Sequence, residues 1–497
     1  MKKRLLSCLA FSLALVANSQ IELFKDINPG NSDSGPNYAY VTNDGKKVYF
    51  QASNGTDGSE LWVSDGTVDG TKQIINLDGT SDNSYPRAFV EYNNTMYFYN
   101  YGVKEMWKTD GTTNGTEIAN ELADQYFEDS VVLNNKLYFL DKNVGDTNYN
   151  ILQFDGTTVS TTGYDNSNGT MYVSDMFVFD NKIFCYGRGL PSTGTDEIGY
   201  ELYVFDPSAT DSEKYSLFKE FNTGVSSGYV GDFCELNGKM YFRAYNSDNG
   251  DDVLWESDGT AANTTKVTAI ENYNIKGDVY AWNNGIYFLA DDSTSIENIF
   301  VYYPTTGNVT QLTWFTEDHN ARHYIEVGNY LYYRGQNEES RAISSSDYRL
   351  YRIDGADGTT IELVDTSNTV DIDWLVKVTD PSDNDIILMR GDDDGDVNIT
   401  GTELYWLNPA DITYSEVLSI AKPLSELARV YPNPTTDYLM VPNKLMNASY
   451  IIYDITGKVA QQGVIETERV DLNLNQGMYL FEVTLDSGIY THKLLVK

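Results

Sequence analysis

Cysteine is nearly missing from this 497-residue chain: of three, only Cys185 and Cys234 lie beyond the first nineteen residues. That excludes a disulfide framework and a four-thiolate zinc site. One bridge between the pair is possible, but two buried free thiols are favoured, because a core of this size needs no staple. Histidine is equally scarce. The body holds only His319 and His323, spaced i and i+4 in a loop just ahead of a strand at 324–327. No His-Glu-x-x-His order supports a helical metal site there. A Ser-His-Asp triad would have to use one of these two, and no Gly-x-Ser-x-Gly elbow exists to present the serine. Nor does a glycine-rich phosphate loop precede a helix. Paired carboxylates for glycoside chemistry stay open, because Asp and Glu are abundant.

Positive charge is the next shortage. Lys and Arg number 34 against 73 Asp and Glu, a net charge of −39, nearly all of it between residues 20 and 420. Nucleic acid and anionic membranes are poor partners for such a body. Cations, basic surfaces and neutral sugars remain. Long apolar runs are absent too, so no transmembrane segment is expected. The longest, Leu5 to Val16, follows Lys2-Lys3-Arg4 and precedes Ala17-Asn18-Ser19, which predicts a secretory signal peptide over residues 1–19 with cleavage before Gln20. Cys8 follows Leu-Leu-Ser as in a lipoprotein site, but it stands too close to the charges to leave an apolar region.

What the chain has in quantity is period-two alternation of aromatic and polar residues, with almost no helical periodicity. It also repeats itself. Residues 47–74 read KVYFQASNGTDGSELWVSDGTVDGTKQI: a strand ending in aromatics, a polar hairpin, then Leu-Trp-x-Ser-Asp-Gly-Thr. The pattern returns at 95–118, 136–160, 182–218 and 239–268, and in degraded form at 285–313, 330–364 and 385–418. An upstream strand precedes each Tyr-Phe strand, and Asn-Asn or Asn-Gly turns one into the other. Eight units of about fifty residues fit four-stranded blades that must stack in a ring to cover their aromatic faces. The expected fold is therefore all-β: a β-propeller over 20–420 with about eight four-stranded blades, seven being the alternative if 330–418 holds only one regular blade. The unit resembles the ELWxSDGT repeat family, best at Glu60 to Thr67 and Leu254 to Thr260. Ile21 to Ile27 looks like a stray last strand of the repeat, expected to close the ring on the unit at 385–420.

The Ser-Asp-Gly-Thr turns read as scaffold: Gly supplies positive φ, and Asp and Ser fold back on nearby amides. Trp62, Trp107 and Trp255 are expected between blades. Two sets of residues carry a functional reading. Nine residues before the aromatic aligned with Tyr138, successive units place Asp129, Asp175, Asp232, Asp278 and His323, with Ala88 in the second unit and Asp373 in uncertain register. On innermost strands these would form an arc at one mouth of the channel, binding a ligand or a calcium ion, or else capping their own strands. The second set, Asp392, Asp394, Asp396 and Asn398, alternates oxygen ligands like an extracellular calcium loop, although the EF-hand order fails and a solvated hairpin is the competing reading. No cofactor is certain; calcium is the candidate.

After a linker at 421–428 the composition changes. Pro432-Asn433-Pro434 opens the tail, Asp454-Ile455-Thr456-Gly457-Lys458 sits in its middle, Gly477-Met478-Tyr479 begins a late strand, and Lys493-Leu494-Leu495-Val496-Lys497 ends it. In that order residues 429–497 resemble the type A C-terminal sorting domain of the type IX secretion system. The resemblance implies a small immunoglobulin-like β-sandwich, recognition by the secretion machinery, and passage through the periplasm to the cell surface or medium. The combined expectation is a secreted or surface-displayed, non-catalytic propeller binding an extracellular glycan or protein. A polysaccharide-acting hydrolase or lyase, or a purely adhesive surface layer, are the alternatives.

Overall fold

The computed structural model describes residues 21–497 apart from 31, 124, 126–128, 142–149, 163–171, 189–197, 211–213, 293, 338–339, 341–346, 365–369, 393–400, 413–415, 418–434, 442–444, 447, 456, 468 and 486–487. The chain divides into two compact units, Met1–Leu418 and Ser419–Lys497.

Among the described residues the first unit is eight consecutive antiparallel sheets. Blade one runs Asn37–Val41, Val48–Ser53, Ser59–Ser64 and Lys72–Ile75. Its two central strands are buried almost throughout while Lys72–Ile75 is largely open, because neighbouring blades cover both faces of a blade's middle and water reaches its rim. First strands of neighbouring blades lie side by side, and that of blade one lies beside that of blade eight. The innermost strands thus circle an axis. The degraded units at 330–364 and 385–418 each build a blade, which settles the count at eight rather than seven.

The ring is held by hydrophobic clusters at each blade interface. Tyr49, Leu61 and Val63 of blade one pack with Phe89, Met96 and Phe98 of blade two. Phe50 and Trp62 on the other face of blade one pack with Trp374, Ile386 and Leu388 of blade eight. Each fully buried aromatic or leucine contributes about 1.5–3 kcal/mol. Trp107 and Trp255 lie at the interfaces of blades one with two and four with five.

Closure comes from the N-terminal segment. Blade eight takes three strands from the chain's late part, Asp371–Thr379, Asp385–Asp392 and Glu403–Leu407, and its outer strand is Glu22–Lys25. Glu22 pairs with Trp406, Leu23 with Tyr405 and Lys25 with Leu404. Phe24 and Ile27 drop into the cluster shared by blades eight and one. The expected pairing of the first strand with the last blade is what joins the two ends.

Local chemistry explains the regularity. Asn93-Asn94, Asn134-Asn135 and Asn283-Asn284 all hold positive φ at both positions, between 47 and 61°, the type I′ geometry whose twist suits a two-residue hairpin. In the Ser-Asp-Gly-Thr turn, Asp65 Oδ1 accepts from the amide (3.0 Å) and hydroxyl (2.6 Å) of Thr67, and Ser64 Oγ accepts from Gly66 N at 3.2 Å. The pattern repeats at Asp110 and Asp258. Glycine is required at its third position: φ is +91° at Gly111, and a Cβ there would meet the Tyr49 hydroxyl of the preceding blade at 2.9 Å. Cys185 and Cys234 are free, and burial raises both thiols.

The second unit is a small β-sandwich. The pair Tyr438–Met440 and Arg469–Asp471 faces a four-stranded antiparallel sheet of Val459–Val464, Ser449–Asp454, Gly477–Leu485 and Gly488–Val496. Leu439, Ile452, Phe481 and Leu494 form the core between them.

Candidate functional site

The nine-residue count made on the sequence lands where the innermost strand begins, on a β-bulge in most blades; in blade three Asp129 stands just ahead of a strand that pairs without a slip. Pairing of the first two strands slips between Arg87 and Val90, Ser174 and Phe177, Gly231 and Cys234, Arg322 and Ile325, and Ile372 and Leu375. Inside these slips Ala88, Asp175, Asp232 and His323 take φ between +53 and +57°, as does Tyr38 of blade one. A bulge re-aims its side chain and stops the ladder. Left-handed backbone costs a residue other than glycine about 1–2 kcal/mol, least for Asp and Asn, whose short side chains bond locally. Aspartate at this turn is therefore partly a conformational choice.

The arc residues are drawn into a polar collar that joins blades. Asp129 Oδ1 accepts from its neighbour Ser130 N and Oδ2 from Met176 N of blade four, both at 2.8 Å. Burial raises its pKa against the pull of those amides, and the nearby Asp175 charge adds to the rise. Asp175 itself is exposed and accepts from Ser174 Oγ at 2.9 Å. Asp232 accepts from Arg243 Nε at 2.6 Å, while the same guanidinium reaches Asp252 at 2.7 Å. Asp278 accepts from the backbone amide of His323 in the next blade at 3.0 Å, and His323 Nδ1 lies 3.0 Å from the Asp373 carbonyl one blade further on. Burial, then the Arg334 charge, lowers the His323 pKa. Asp373 joins the series and holds two guanidiniums, Arg390 at 2.6 Å and Arg334 of blade seven at 3.5 Å. Sequence reasoning found the acids but missed Arg243, Arg334 and Arg390. They share one position on the second strands, two residues beyond the aligned aromatic, where a count of that register would have shown them.

A second buried set was also missed, although it lies in the repeat motif. Glu60, Glu201 and Glu403, each preceding the Leu of Leu-Trp or Leu-Tyr, are fully buried. Glu60 accepts from Leu77 N and Ser84 Oγ, both at 2.8 Å. Glu201 accepts from Phe221 N at 2.8 Å and Asn222 N at 3.2 Å. Each clamps the crossover to the next blade. Burial pushes all three up to about 7.

The same end of the ring carries tyrosines in unusual backbone. Tyr85 and Tyr229, three residues before the bulge in blades two and five, both have φ +48°. Gly35 and Asn320 occupy that slot in blades one and seven. On the opposite face a shallow groove of about 420 Å³ crosses blades one to three, with Glu91 and the Asn93-Asn94 turn in its wall.

Asp392 ends the second strand of blade eight and accepts from Thr402 Oγ1 at 3.3 Å; Asp394, Asp396 and Asn398 lie outside the described residues. Among the described residues no group of three or more His, Cys, Asp or Glu side chains is arranged to hold a metal ion. In the C-terminal unit Asp454 and Lys458 close a hairpin through Asp454 N to Lys458 O at 2.9 Å, with Gly457 at φ +82°. Gly477 opens the long strand, the Tyr479 hydroxyl bonds Asn475 O at 2.9 Å, Lys493 pairs with Leu480, and Lys497 N bonds Thr435 O at 2.8 Å. Pro432, Asn433 and Pro434 lie outside the described residues.

Residues 429–497 match the family of secretion system C-terminal sorting domains. This tail marks the chain for type IX export to the cell surface or medium. No helix among the described residues is long and apolar enough to cross a membrane. No curated protein matches the chain. Among solved structures it is similar to PorZ, a surface component of the type IX secretion system of Porphyromonas gingivalis, at 12% identity over 94% of this chain and 75% of that one, with a TM-score of 0.33. A prolyl endopeptidase (9% identity, TM-score 0.46) and oligopeptidase B from Leishmania major (9%, 0.42) match 74% and 73% of this chain. The chain spans only 56% and 54% of those peptidases. Likeness this distant says nothing about activity.

Proposed function

We propose that this chain is a secreted or surface-displayed binding protein: an ELWxSDGT-type propeller over residues 20–420, exported behind a signal peptide at 1–19 and joined by a linker at 421–428 to its sorting tail. The observation that supports the reading is the pairing of a type IX tail with a ring whose innermost strands, among the described residues, begin in polar groups bonded within and across blades. There the collar of Asp129, Asp175, Asp232, Asp278 and His323 presents polar atoms on a rigid scaffold. The arginines bound to Asp232 and Asp373 leave those acids suited to hydrogen bonding rather than to acid–base turnover.

The test is retention of glycans and extracellular proteins by the purified mature propeller, followed by assay of reducing ends on any glycan retained. Retention without release of reducing ends is expected. Release would make the protein a hydrolase, and absence of retention for every ligand class would remove the binding reading.

A further inference from the structure

The slot that Tyr85 and Tyr229 occupy is left-handed in blades one, two, five and seven. In blade two Gly102 N bonds Ser84 O at 2.8 Å, pinning the peptide just before Tyr85, and Tyr85 N bonds Ser59 O at 3.1 Å. In blade five Tyr245 N bonds Gly228 O at 2.8 Å, just before Tyr229. Blade one makes the same bond from Ser53 N to Ser34 O before Gly35, and blade seven from Gln336 N to His319 O before Asn320. Glycine and asparagine are the residues that tolerate such backbone; for a bulky side chain it is an outlier. Burial does not account for the tyrosines either, since Tyr85 is 41% and Tyr229 54% exposed. A strained residue whose side chain stays in water points to a role for the ring itself.

We propose that Tyr85 and Tyr229 are stacking platforms for a neutral glycan chain lying across the mouth of the ring; the proposal rests on the binding reading above. A pyranose offers an apolar C–H face to an aromatic ring and hydroxyls to planar polar groups. Both are supplied at this end. Tyr229 stands 6.4 Å from the Tyr245 ring, which backs it. Beside Tyr85, the exposed Tyr101 ring carries the Arg87 guanidinium at 3.8 Å. In blade five the collar's Asp232 is already paired, sharing the Arg243 guanidinium with Asp252, while Asp129 and Asp175 of blades three and four accept from backbone amides and from Ser174 Oγ. A cationic peptide would have to displace Arg243 to use Asp232 or Asp252, and an anionic polymer meets a chain of net charge −39. A hydroxyl-rich neutral ligand meets neither obstacle. Blades two and five are not neighbours, so a ligand reaching both is a chain of sugars rather than a monosaccharide.

The experiment uses the mature chain, calorimetry with cello-, xylo-, manno- and malto-hexaose, and the Tyr85→Asn, Tyr229→Asn and double variants. Asparagine is at home in this backbone, so the variants should fold and melt at or above the parent temperature. At least one hexaose should bind the parent, and each substitution should weaken it about tenfold. Equal affinity of parent and double variant for the hexaose would overturn the platform. Retention of peptides or proteins with none of the hexaoses would overturn the glycan class and leave the binding reading standing. Failure to bind any class would remove both.

Discussion

Replacing Glu403 with alanine should weaken the ring where its two ends meet. Glu403 of blade eight accepts from Ile27 N at 2.8 Å, Ser34 N at 3.1 Å, Ser34 Oγ at 2.7 Å and, more loosely, Asn28 N at 3.4 Å. All belong to the N-terminal segment that supplies the closing strand. Alanine leaves Ile27 N without its acceptor, a buried polar group without a partner costing about 1–3 kcal/mol, and leaves Ser34 N and Oγ with Thr402 O alone, at 3.1 Å from each. Taking roughly 2 kcal/mol for Ile27 N and roughly 0.5 kcal/mol for each weakened Ser34 donor gives about 3 kcal/mol. A cooperative unit of roughly 400 residues has an unfolding entropy near 0.8 kcal/mol per kelvin, so the melting temperature should fall by about 4 °C. Differential scanning calorimetry reads this directly. Glu105 is the control: it holds the same repeat position in blade two but is exposed, and Glu105→Ala should stay within about 0.5 kcal/mol of the parent. Equal effects of the two substitutions would refute the clamp.

The clamp also sets a pH dependence. The ordinary glutamate pKa is 4.5 and burial holds Glu60, Glu201 and Glu403 at about 7, so the folded state keeps protons that the unfolded chain has lost. Their contribution is full below about 4.5 and disappears as pH rises through 7; melting temperature should fall across that window, and the triple glutamine variant should flatten the slope while melting lower throughout. Calcium against chelator tests the collar: with Asp232 and Asp373 bonded to arginines, the melting temperature should not move, and a rise lost in the Asp175→Asn, Asp232→Asn variant would make the arc a metal site instead.

Much of the ring was legible because its local rules repeat. Two-residue Asn-Asn turns fix the hairpin, Asp-Gly-Thr fixes the next turn, and a lone strand at Ile21 to Ile27 has only one free edge to join. Degraded units hid less than their sequences suggested: Asn298 and Arg349 stand where Glu60 does and still bond the crossover, through Phe315 N at 2.9 Å and Val370 O at 2.7 Å. The site was less legible. A bulge breaks period two without any residue of its own to announce it, so the acids could be aligned but the left-handed backbone of Asp175 and Asp232 could not. Arg334 reaches Asp373 across a blade boundary, and no spacing within one repeat encodes a partner in the next. Nothing in the repeat spacing distinguishes Tyr85 and Tyr229, which stand just ahead of their strands; their φ angles do.

The central claim is that the tail carries this ring out of the cell, and subcellular location tests it. The full chain and a chain lacking residues 429–497 would be expressed in a type IX-secreting host, and the propeller quantified in periplasm, surface and medium. The full chain should reach the surface or medium and the shortened one should collect, folded, in the periplasm. Equal amounts of both outside the cell would contradict the account.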